Sequence, residues 1–364
     1  MNVTAVDHVE LYVADAPETA RYLCHAFGFR CQGRGGTGTG LAGQHTLLLG
    51  VGRIRLLVTS AADPDHPVAR YVERHGGGVA CVALRTTDAA AAYAAAVRGG
   101  ADPVAPPRTW RRGAASVTTA TISGPGAVVH RLVERPDPDG EFLPGGIAPE
   151  PAAPEPADGL LDTIDHVALC VGGRELEPTA RFYRDALGLA EIFEERIEVG
   201  DQAMDSKVVQ TESHEATFTI VAPDPDTHTG QLADFLRDNA GAGVQHLALS
   251  THDIVTAVDL CQQRGVRFLT TPATYYDAIA QRLGTVSLPI DALRAGNILV
   301  DRDHWGEMFQ IFSESPFERR TFFFELIERH GALTFGTNNI RTLYEAKERA
   351  RAAAGSSTLA KPRS

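Results

Sequence analysis

The stretch VDHVELYVAD, Val6 to Asp15, recurs later in the chain as IDHVALCVGG, Ile164 to Gly173. Both copies show the apolar alternation of a buried strand, and each precedes a stretch with helical periodicity, TARYLCHAFGF in the first copy and TARFYRDALGL in the second. Gly28 and Gly188 stand at the same offset past these helices, where a left-handed residue is expected to end the helix. The repeat indicates that one structural unit is used twice.

A second pair of similar stretches follows the first pair. The stretch at 78–107 is GVACVALRTTDAAAAYAAAVRGGADPVAPP, and the stretch at 243–272 is GVQHLALSTHDIVTAVDLCQQRGVRFLTTP. Both follow the order strand, Asp, helix, Gly, short strand and Pro. The chain therefore contains four modules in the order A, B, A′, B′. Each module combines a strand, a helix and further alternating strands. We expect an α+β fold in which paired βαβββ modules form cupped, mostly antiparallel sheets.

A proline-rich segment separates the two halves. Seven prolines between Arg135 and Gly159 disfavour both helix and central strand, so this segment is expected to be a semi-extended surface linker. The predicted parts are a first domain (1–135), the linker (136–160), a second domain (161–354) and a flexible tail (355–364). The stretch from Thr342 to Ala354 is rich in Glu, Lys and Ala and predicts a closing helix, with Asn338 or Asn339 as its N-cap.

Composition argues against several classes of protein. The 364 residues carry a net charge of −12, which disfavours a surface that follows nucleic-acid phosphates. No apolar run reaches the roughly 20 residues that a membrane-spanning helix needs, and the N-terminus does not resemble a secretory signal. Five scattered cysteines without CxxC spacing indicate reduced thiols. We therefore expect a cytoplasmic protein without nucleic-acid or membrane partners, and a homodimer is the working expectation for its assembly.

Two histidines occupy equivalent places in the second half. His166 stands in IDHVAL and His246 in VQHLAL, each in the first strand of its module. A single histidine in a strand is more often a satisfied core residue. Paired βαβββ modules, however, resemble the vicinal-oxygen-chelate superfamily, whose first strands carry metal ligands and whose last strand supplies a third ligand. Glu325 in RRTFFFELIERHG meets that expectation, although on an edge strand it could instead face solvent.

The three residues together favour a metal site. A carboxylate within an aromatic strand is costly to bury without a cation. Two imidazoles and one carboxylate form the ligand set of non-haem Fe(II) oxygenases. In the first half, His8 stands in the place of His166, but Cys81 replaces the second histidine, and the last strand, AVVHRLVER, has no acid at the matching depth. We expect the first half to be a scaffold without metal.

Longer motifs resemble a particular enzyme family. Five stretches are similar to motifs of the 4-hydroxyphenylpyruvate dioxygenase family, which includes 4-hydroxymandelate synthase. They are GAGVQHLAL, TPATYYD, FQIFSES, RRTFFFELIERHG and FGTNNIRTLYEA. The resemblance covers the second half and, more weakly, the first half. It implies Fe(II) bound by His166, His246 and Glu325. It also implies an aryl pyruvate that chelates the iron, O2 as the second substrate, and loss of CO2 coupled to oxidation of the aryl group.

Three positions bear on the product. The family's dioxygenases oxidise the ring to give homogentisate, whereas the synthase hydroxylates the benzylic carbon to give 4-hydroxymandelate. Val221 stands where the dioxygenases carry Asn, Thr219 where Pro is usual and Ile340 where Phe is usual. These departures, with AMDSKVVQ at 203–210, resemble the synthase and imply a route to the 4-hydroxyphenylglycine of peptide antibiotics. Alternatively, they are neutral core changes and the product is homogentisate.

Further site residues are implied by the same resemblance. The expected catalytic contacts are Ser206, Thr219, Gln310 and Asn339. The first two are expected near polar groups of the substrate, the third near the iron, and the last over the pocket with the C-terminal helix. The expected substrate contacts are Val221, Phe324, Phe335 and Ile340. Gln245 is expected to point away from the metal because it directly precedes His246 in an alternating strand.

Two other functions fit the same modules. Extradiol ring-cleaving dioxygenases share the His, His, Glu ligand set, but FGTNNIRTLYEA and the lack of an evident His and Tyr pair for catechol deprotonation argue against that class. A small-molecule-sequestering protein without enzymatic activity can be built from the same modules. Such proteins dispense with the metal ligands, so the three candidate ligands argue against this alternative as well.

Overall fold

The structure, a computed structural model, describes residues 3–151, 159–199, 202–226 and 230–342. The strands of the first half are β1 (Val3–Tyr12), β2 (Arg30–Gly35), β3 (Gln44–Val51), β4 (Ile54–Ala61), β5 (Gly78–Thr86), β6 (Pro103–Arg112), β7 (Ala115–Ser123), β8 (Val129–Glu134) and β9 (Ala148–Pro149). Those of the second half are β10 (Leu161–Cys170), β11 (Ala190–Val199), β12 (Gln202–Gln210), β13 (Thr217–Pro223), β14 (Gly243–Thr251), β15 (Leu299–Arg302), β16 (Glu307–Phe312) and β17 (Phe323–His330). The helices are α1 (Ala16–Phe27), α2 (Pro67–His75), α3 (Ala89–Arg98), α4 (Leu176–Leu187), α5 (Gln231–Asp238), α6 (Ile254–Gln263), α7 (Ala273–Asp277), α8 (Ile279–Leu283) and α9 (Ile290–Gly296).

Two curled mixed sheets contain these strands. The first has the order β6-β7-β8-β5-β1-β4-β3-β2-β9, and the second has the order β11-β12-β13-β10-β14-β17-β16-β15. In each module the first strand pairs in parallel with the last, as in β1 with β4 and β14 with β17, and the first strands of paired modules are antiparallel. The predicted α+β fold of paired βαβββ modules is confirmed.

The helix ends follow the signals in the sequence. Asp88 and Asp253 are the N-caps of α3 and α6, and each side chain accepts a hydrogen bond from a backbone N–H of the first turn. Gly28 and Gly188 end α1 and α4 with φ values of 75° and 73°, a left-handed conformation that glycine adopts without steric cost. Each pair of repeated helices thus shares one kind of cap, the left-handed glycine after α1 and α4 and the aspartate before α3 and α6.

The two halves share one apolar core. Phe27 of α1 contacts Phe324 of β17, with ring centroids 4.9 Å apart. The fully buried His130 of β8 lies 3.1 Å from the Tyr183 hydroxyl of α4. Helices α3 and α4 also contact each other. Burial of these side chains ties the first half to the second through hydrophobic contact.

Part of the predicted linker belongs to the first sheet. Strand β9 pairs with β2, and Ile147 is buried in a cluster with Leu48 and Leu57. Phe142 and Leu143 pack on the same cluster. The prediction of a simple surface linker over 136–160 was therefore wrong for this part, because apolar residues between the prolines bury against the sheet. Residues 152–158 lie outside the described residues, and the predicted domain boundaries stay predictions.

Some helices were not predicted from the repeats. Helices α7, α8 and α9 connect α6 to β15, where the other modules have shorter connections. A further helix starts at residue 337, so Asn338 and Asn339 lie inside it and not at its N-cap. It is described as far as residue 342, and the predicted helix to Ala354 and the tail lie outside the described residues. None of the described helices is long and apolar enough to cross a membrane.

Candidate metal centre and its cavity

Three neighbouring strands bring the predicted ligands together. His166 is on β10, His246 on β14 and Glu325 on β17. Ala248 of β14 lies opposite His166 on one side and opposite Glu325 on the other. Because side chains alternate along a strand, His246 faces the same side of the sheet as Ala248. The register therefore places all three side chains on one face.

The three side chains converge on one point. Nε2 of His166 lies 3.5 Å from Oε2 of Glu325, and Nε2 of His246 lies 3.3 Å from the same oxygen. The candidate ligand atoms all lie within 4.8 Å of one another, and all three residues are buried. Two imidazole nitrogens and a carboxylate oxygen form a set suited to a divalent transition metal with open coordination positions. The buried carboxylate also needs a positive partner, so the residues present fit a metal ion.

An ionic pair orients His166. Oδ1 of Asp165 lies 2.8 Å from Nδ1 of His166, and Arg329 donates to both Asp165 oxygens at 2.7 and 2.9 Å. Burial opposes ionisation of Asp165, but Arg329 and His166 hold the pKa of its carboxyl well below the usual range. The Nδ1–H of the imidazole therefore points to a carboxylate, which leaves Nε2 available for a metal.

A chain of amides supports Glu325 from behind. Gln310 donates through Nε2 to Oε1 of Glu325 at 2.8 Å and accepts at Oε1 from Nδ2 of Asn339, also at 2.8 Å. The hydroxyl of Tyr275 lies 3.0 Å from Oδ1 of Asn339. These contacts connect one oxygen of Glu325 to the helix that starts at residue 337. The other oxygen faces the two histidines.

A β-bulge explains why Gln245 does not point away. Ala168 pairs with His246 and Leu169 pairs with Val244, so Gln245 has no partner residue in β10. An extra residue of this kind changes the direction of a side chain, and alternation alone does not predict it. Gln245 lines the cavity, and its Oε1 lies 3.3 Å from Nδ1 of His246. The expectation that Gln245 points away was wrong.

The electrostatics of the centre favour a cation. Burial alone would lower the pKa of His166 and raise that of Glu325. The neighbouring carboxylates reverse the first effect and raise the pKa of His166 to about 9. The two imidazoles reverse the second effect and lower the pKa of Glu325 to about 2. The site thus keeps Glu325 ionised in an apolar setting and attracts positive charge.

A cavity opens above these three residues. It contains about 570 Å³ of space free of protein atoms, including its mouth, and we call it the His166 cavity. The predicted residues that line it are His166, His246, Glu325, Ser206, Thr219, Gln310, Val221, Phe335 and Ile340. Nine of the predicted site residues therefore share one cavity.

Two predicted residues do not line this cavity. Asn339 is fully buried and contacts Gln310, so it supports the site from behind. Phe324 lies on the opposite face of β17 from Glu325 and packs against Phe27 and Phe322. Strand alternation from Glu325 gives the physical reason, and Phe324 as a substrate contact was wrong.

Six further residues line the cavity. They are Phe193, Glu195, Met204, Val208, Gln245 and Phe312. Met204 and Val208 lie two positions on either side of Ser206 in β12, and Phe312 lies two positions after Gln310 in β16. Applying period-two alternation to the predicted residues would have found these three. Phe193 and Glu195 are on β11, a strand that none of the sequence motifs covers, so these two residues were not predicted.

Comparisons with known proteins agree with this fold. The model of the glyoxalase/bleomycin resistance protein/dioxygenase superfamily matches residues 5–139 and 163–311. The chain is 32% identical to 4-hydroxyphenylpyruvate dioxygenase from Neurospora crassa, with 97% of this chain and 93% of that protein covered. It is 33% identical to the Dictyostelium discoideum protein of the same name, with 94% and 97% covered.

A solved structure is also similar over nearly the whole chain. It is a triple mutant of 4-hydroxymandelate synthase from Streptomyces coelicolor, with a TM-score of 0.88 and 39% identity, and the match covers 96% of this chain and 100% of the other. The repeated modules and this match over most of the chain identify it as a member of the glyoxalase/bleomycin resistance protein/dioxygenase superfamily. Within it, the chain belongs to the family of 4-hydroxyphenylpyruvate dioxygenases and 4-hydroxymandelate synthase, and it is an enzyme of that family.

Proposed function

We propose that this chain is an Fe(II)-dependent oxygenase that converts 4-hydroxyphenylpyruvate and O2 to 4-hydroxymandelate and CO2. One observation carries the proposal: a buried His, His, Glu centre opens into a cavity whose wall contains Val221 and Ile340. The similarity to both named enzymes supports the substrate class. The product is argued from the cavity wall.

The proposed iron ligands are His166, His246 and Glu325. Bound Fe(II) would supply the redox chemistry by which the 2-oxo acid loses CO2 and O2 is consumed. The ligands occupy one face of the site and leave the cavity side open. A substrate carboxylate and keto oxygen can therefore approach from the cavity without displacing a protein ligand.

The protein would keep this ligand set in a fixed geometry. Nδ1–H of His166 donates a hydrogen bond to the Asp165 carboxylate, and the amide oxygen of Gln245 lies near Nδ1 of His246. Gln310 binds the Glu325 oxygen that faces away from the histidines. Partners of this kind fix the orientation of ligand side chains, and their loss weakens metal binding.

Polar groups on the cavity wall are suited to the substrate. The hydroxyl of Ser206 and that of Thr219 lie on adjacent strands, and both residues line the His166 cavity. Phe335 and Phe312 add aromatic surface that excludes water from the reacting groups. We assign the two hydroxyls to polar contacts with the substrate and the aromatic residues to its ring.

An aliphatic wall favours benzylic oxidation. Val221 and Ile340 pack on an apolar cluster that contains Met204 and Phe235. Neither side chain offers a polar contact to the substrate ring, and neither stacks on it as a phenylalanine would. The ring can therefore tilt toward this wall and present its CH2 group to the metal centre. Which carbon reacts depends on this positioning.

The second candidate function is ring oxidation to homogentisate. It is favoured by the names of the curated relatives, which are 4-hydroxyphenylpyruvate dioxygenases. Both reactions use the same ligands, the same substrates and the same loss of CO2. The metal centre therefore does not distinguish them, and only the contacts to the ring can.

A product assay tests the proposal. The purified chain is loaded with Fe(II) under anaerobic conditions and then given 4-hydroxyphenylpyruvate and O2. We expect 4-hydroxymandelate in chromatography with mass detection and CO2 in equal amount. Homogentisate as the sole product would reject the synthase assignment while keeping the family. A yellow ring-fission product from a catechol would instead indicate the extradiol class.

A further inference from the structure

The first half contains a cavity of its own. It encloses about 1130 Å³ of space free of protein atoms, including its mouth, and we call it the Arg131 cavity. Its floor carries His8, Glu10 and Arg131, and its walls carry Tyr12 and Trp110. It is about twice as large as the His166 cavity. A cavity of this size in the half without the candidate metal ligands requires a separate explanation.

Arg131 takes the register position that Glu325 has in the second half. In the first sheet, Ala83 lies opposite both His8 and Arg131. In the second sheet, Ala248 lies opposite both His166 and Glu325. The repeat therefore aligns a guanidinium with the carboxylate of the metal centre. The Arg131 cavity has the positive charge of Arg131 at its floor. At the equivalent position the His166 cavity has Glu325, an anionic candidate metal ligand.

The surroundings of Arg131 hold it in place. One guanidinium nitrogen lies 3.3 Å from Nε2 of His8, and another donates to Oε2 of Glu10 at 2.9 Å. His8 is in turn 2.8 Å from Asp7, which binds Arg135. A guanidinium has five N–H donors, and these two contacts use two of them. Arg131 is thus oriented at the cavity floor with donors left for a ligand.

Aromatic groups and a second arginine line the walls. The guanidinium of Arg108 lies 3.8 Å from the ring centroid of Trp110. The indole N–H of Trp110 donates to the Thr119 hydroxyl at 3.0 Å, which fixes the plane of the ring. Phe142, from the predicted linker, closes another side of the cavity. The walls therefore offer flat apolar surface beside positive charge.

The charge balance selects an anion. Arg108, Arg131 and Arg135 line the cavity, whereas Glu10 is its only acid among the described lining residues. Arg135 is neutralised by Asp7, and Glu10 shares Arg131. The three guanidinium groups against the carboxylates of Asp7 and Glu10 leave one net positive charge at the cavity. Guanidinium groups bind carboxylates in charge-assisted pairs, and a ring can pack on Trp110 and Tyr12.

We propose that the Arg131 cavity binds a small aromatic monocarboxylate, with the carboxylate on Arg131 and the ring against Trp110. The site is separate from the candidate metal centre and needs no metal. It rests on the contacts of the first half, not on the reaction proposed for the second half. The Glu325 carboxylate, a candidate metal ligand in the second sheet, would thus have the Arg131 guanidinium as its counterpart in the first sheet.

Tryptophan fluorescence gives a local test. The chain has two tryptophans, and Trp305 is 60% exposed in the second half. In the full chain carrying Trp305→Phe, emission reports Trp110 alone. The metal-free protein is titrated with 3-phenylpropanoate and, separately, with the uncharged 3-phenylpropanamide. We expect a saturable change with the acid and about tenfold weaker binding of the amide, because the amide lacks the charge-assisted pair.

Two further variants locate the site. Arg131→Met combined with Glu10→Gln removes both charges together, so no charge is left buried alone, and we expect about tenfold weaker binding of the acid. Glu325→Gln is introduced into the Trp305→Phe chain without the double substitution. It changes only the other cavity and should leave the Trp110 response unchanged. If the double variant does not fold, two measurements test the site instead. They are the affinity of Arg108→Gln, a variant at the exposed rim, for the acid, and the comparison of acid with amide in the parent. Equal affinity for acid and amide, or no saturable response to the acid, would overturn the proposal.

Discussion

The Asp165 carboxylate lies 2.8 Å from Nδ1 of His166 and holds that imidazole in the orientation a metal ligand needs. Asp165→Asn keeps a hydrogen-bond acceptor but removes the charge and leaves Arg329 without its ionic partner. We expect Fe(II) affinity to fall about 10- to 100-fold, because such outer partners tune ligand basicity and orientation. Anaerobic titration calorimetry measures the affinity directly.

Asp7→Asn is the matched control for this variant. Asp7 lies 2.8 Å from His8 and binds Arg135, so the substitution breaks the same kind of buried pair in the first half. Both variants should lose comparable stability, measured by urea unfolding. Only the change at Asp165 should alter Fe(II) affinity. Equal effects on iron binding would contradict the assignment of the site to the second half.

Glu325→Gln is expected to abolish stoichiometric iron binding without unfolding the protein. The amide retains the shape of the side chain and the possibility of a hydrogen bond with Gln310, but it lacks the anionic oxygen between the two histidines. Iron should raise the melting temperature of the parent chain and not that of the variant, since only a binding-competent folded state is stabilised by a ligand. Glu318→Gln, at an exposed position, is the control and should behave as the parent.

Ile340→Phe is expected to move the products toward ring oxidation. A phenyl ring at this position fills part of the cavity wall and restricts the tilt of the substrate ring. We expect the ratio of homogentisate to 4-hydroxymandelate to rise about tenfold, equivalent to ~1.4 kcal/mol between the two barriers. Leu333→Phe adds the same ring at a position that is 59% exposed and should leave the ratio unchanged. An unaltered ratio in Ile340→Phe would contradict steering by this wall.

His130 is expected to make stability depend on pH. Burial lowers its pKa to about 4, against a slight opposing effect of the Val82 carbonyl. The unfolded chain binds a proton at this residue below its ordinary pKa of 6.5, and the folded chain does not until about pH 4. Stability therefore falls as pH falls through this window, by about 2 kcal/mol between about pH 7.5 and about pH 5.

His130→Gln tests this pH dependence. Glutamine can donate to the Val82 carbonyl and accept from the Tyr183 hydroxyl, but it does not titrate. Urea unfolding at the two pH values should show a smaller difference for the variant than for the parent, by about 2 kcal/mol. The same pH dependence in both proteins would assign the effect to other groups.

Repeats in the sequence predicted much of this structure. The copies at 6–15 and 164–173 predicted two sets of modules, and the glycines after α1 and α4 predicted where those helices end. Because modules that pair in the same way bring equivalent positions together, the repeat also brought His166 and His246 to one face. Glu325 followed from the expectation of a ligand on the last strand. All three form the observed cluster.

Other features depend on contacts that are distant in the sequence. The bulge at Gln245 arises from how β14 pairs with β10, which alternation within β14 does not reveal. The N-terminus of the helix at residue 337 is bound by Asp301, which accepts from the backbone N–H of Asn338 across 37 positions of sequence. Neither local propensity nor a capping motif encodes such a partner. The error at Phe324 was different, because alternation from Glu325 would have corrected it.

The helix that starts at residue 337 has a mechanical consequence. Ile340 lines the His166 cavity, and the adjacent Asn339 binds the amide that supports Glu325. A displacement of the whole turn that moved Ile340 out of the cavity would also separate Asn339 from Gln310. We therefore expect substrate entry and the hydrogen bonding of Glu325 to be coupled in free energy, and by reciprocity a substrate that stabilises this turn would also strengthen metal binding.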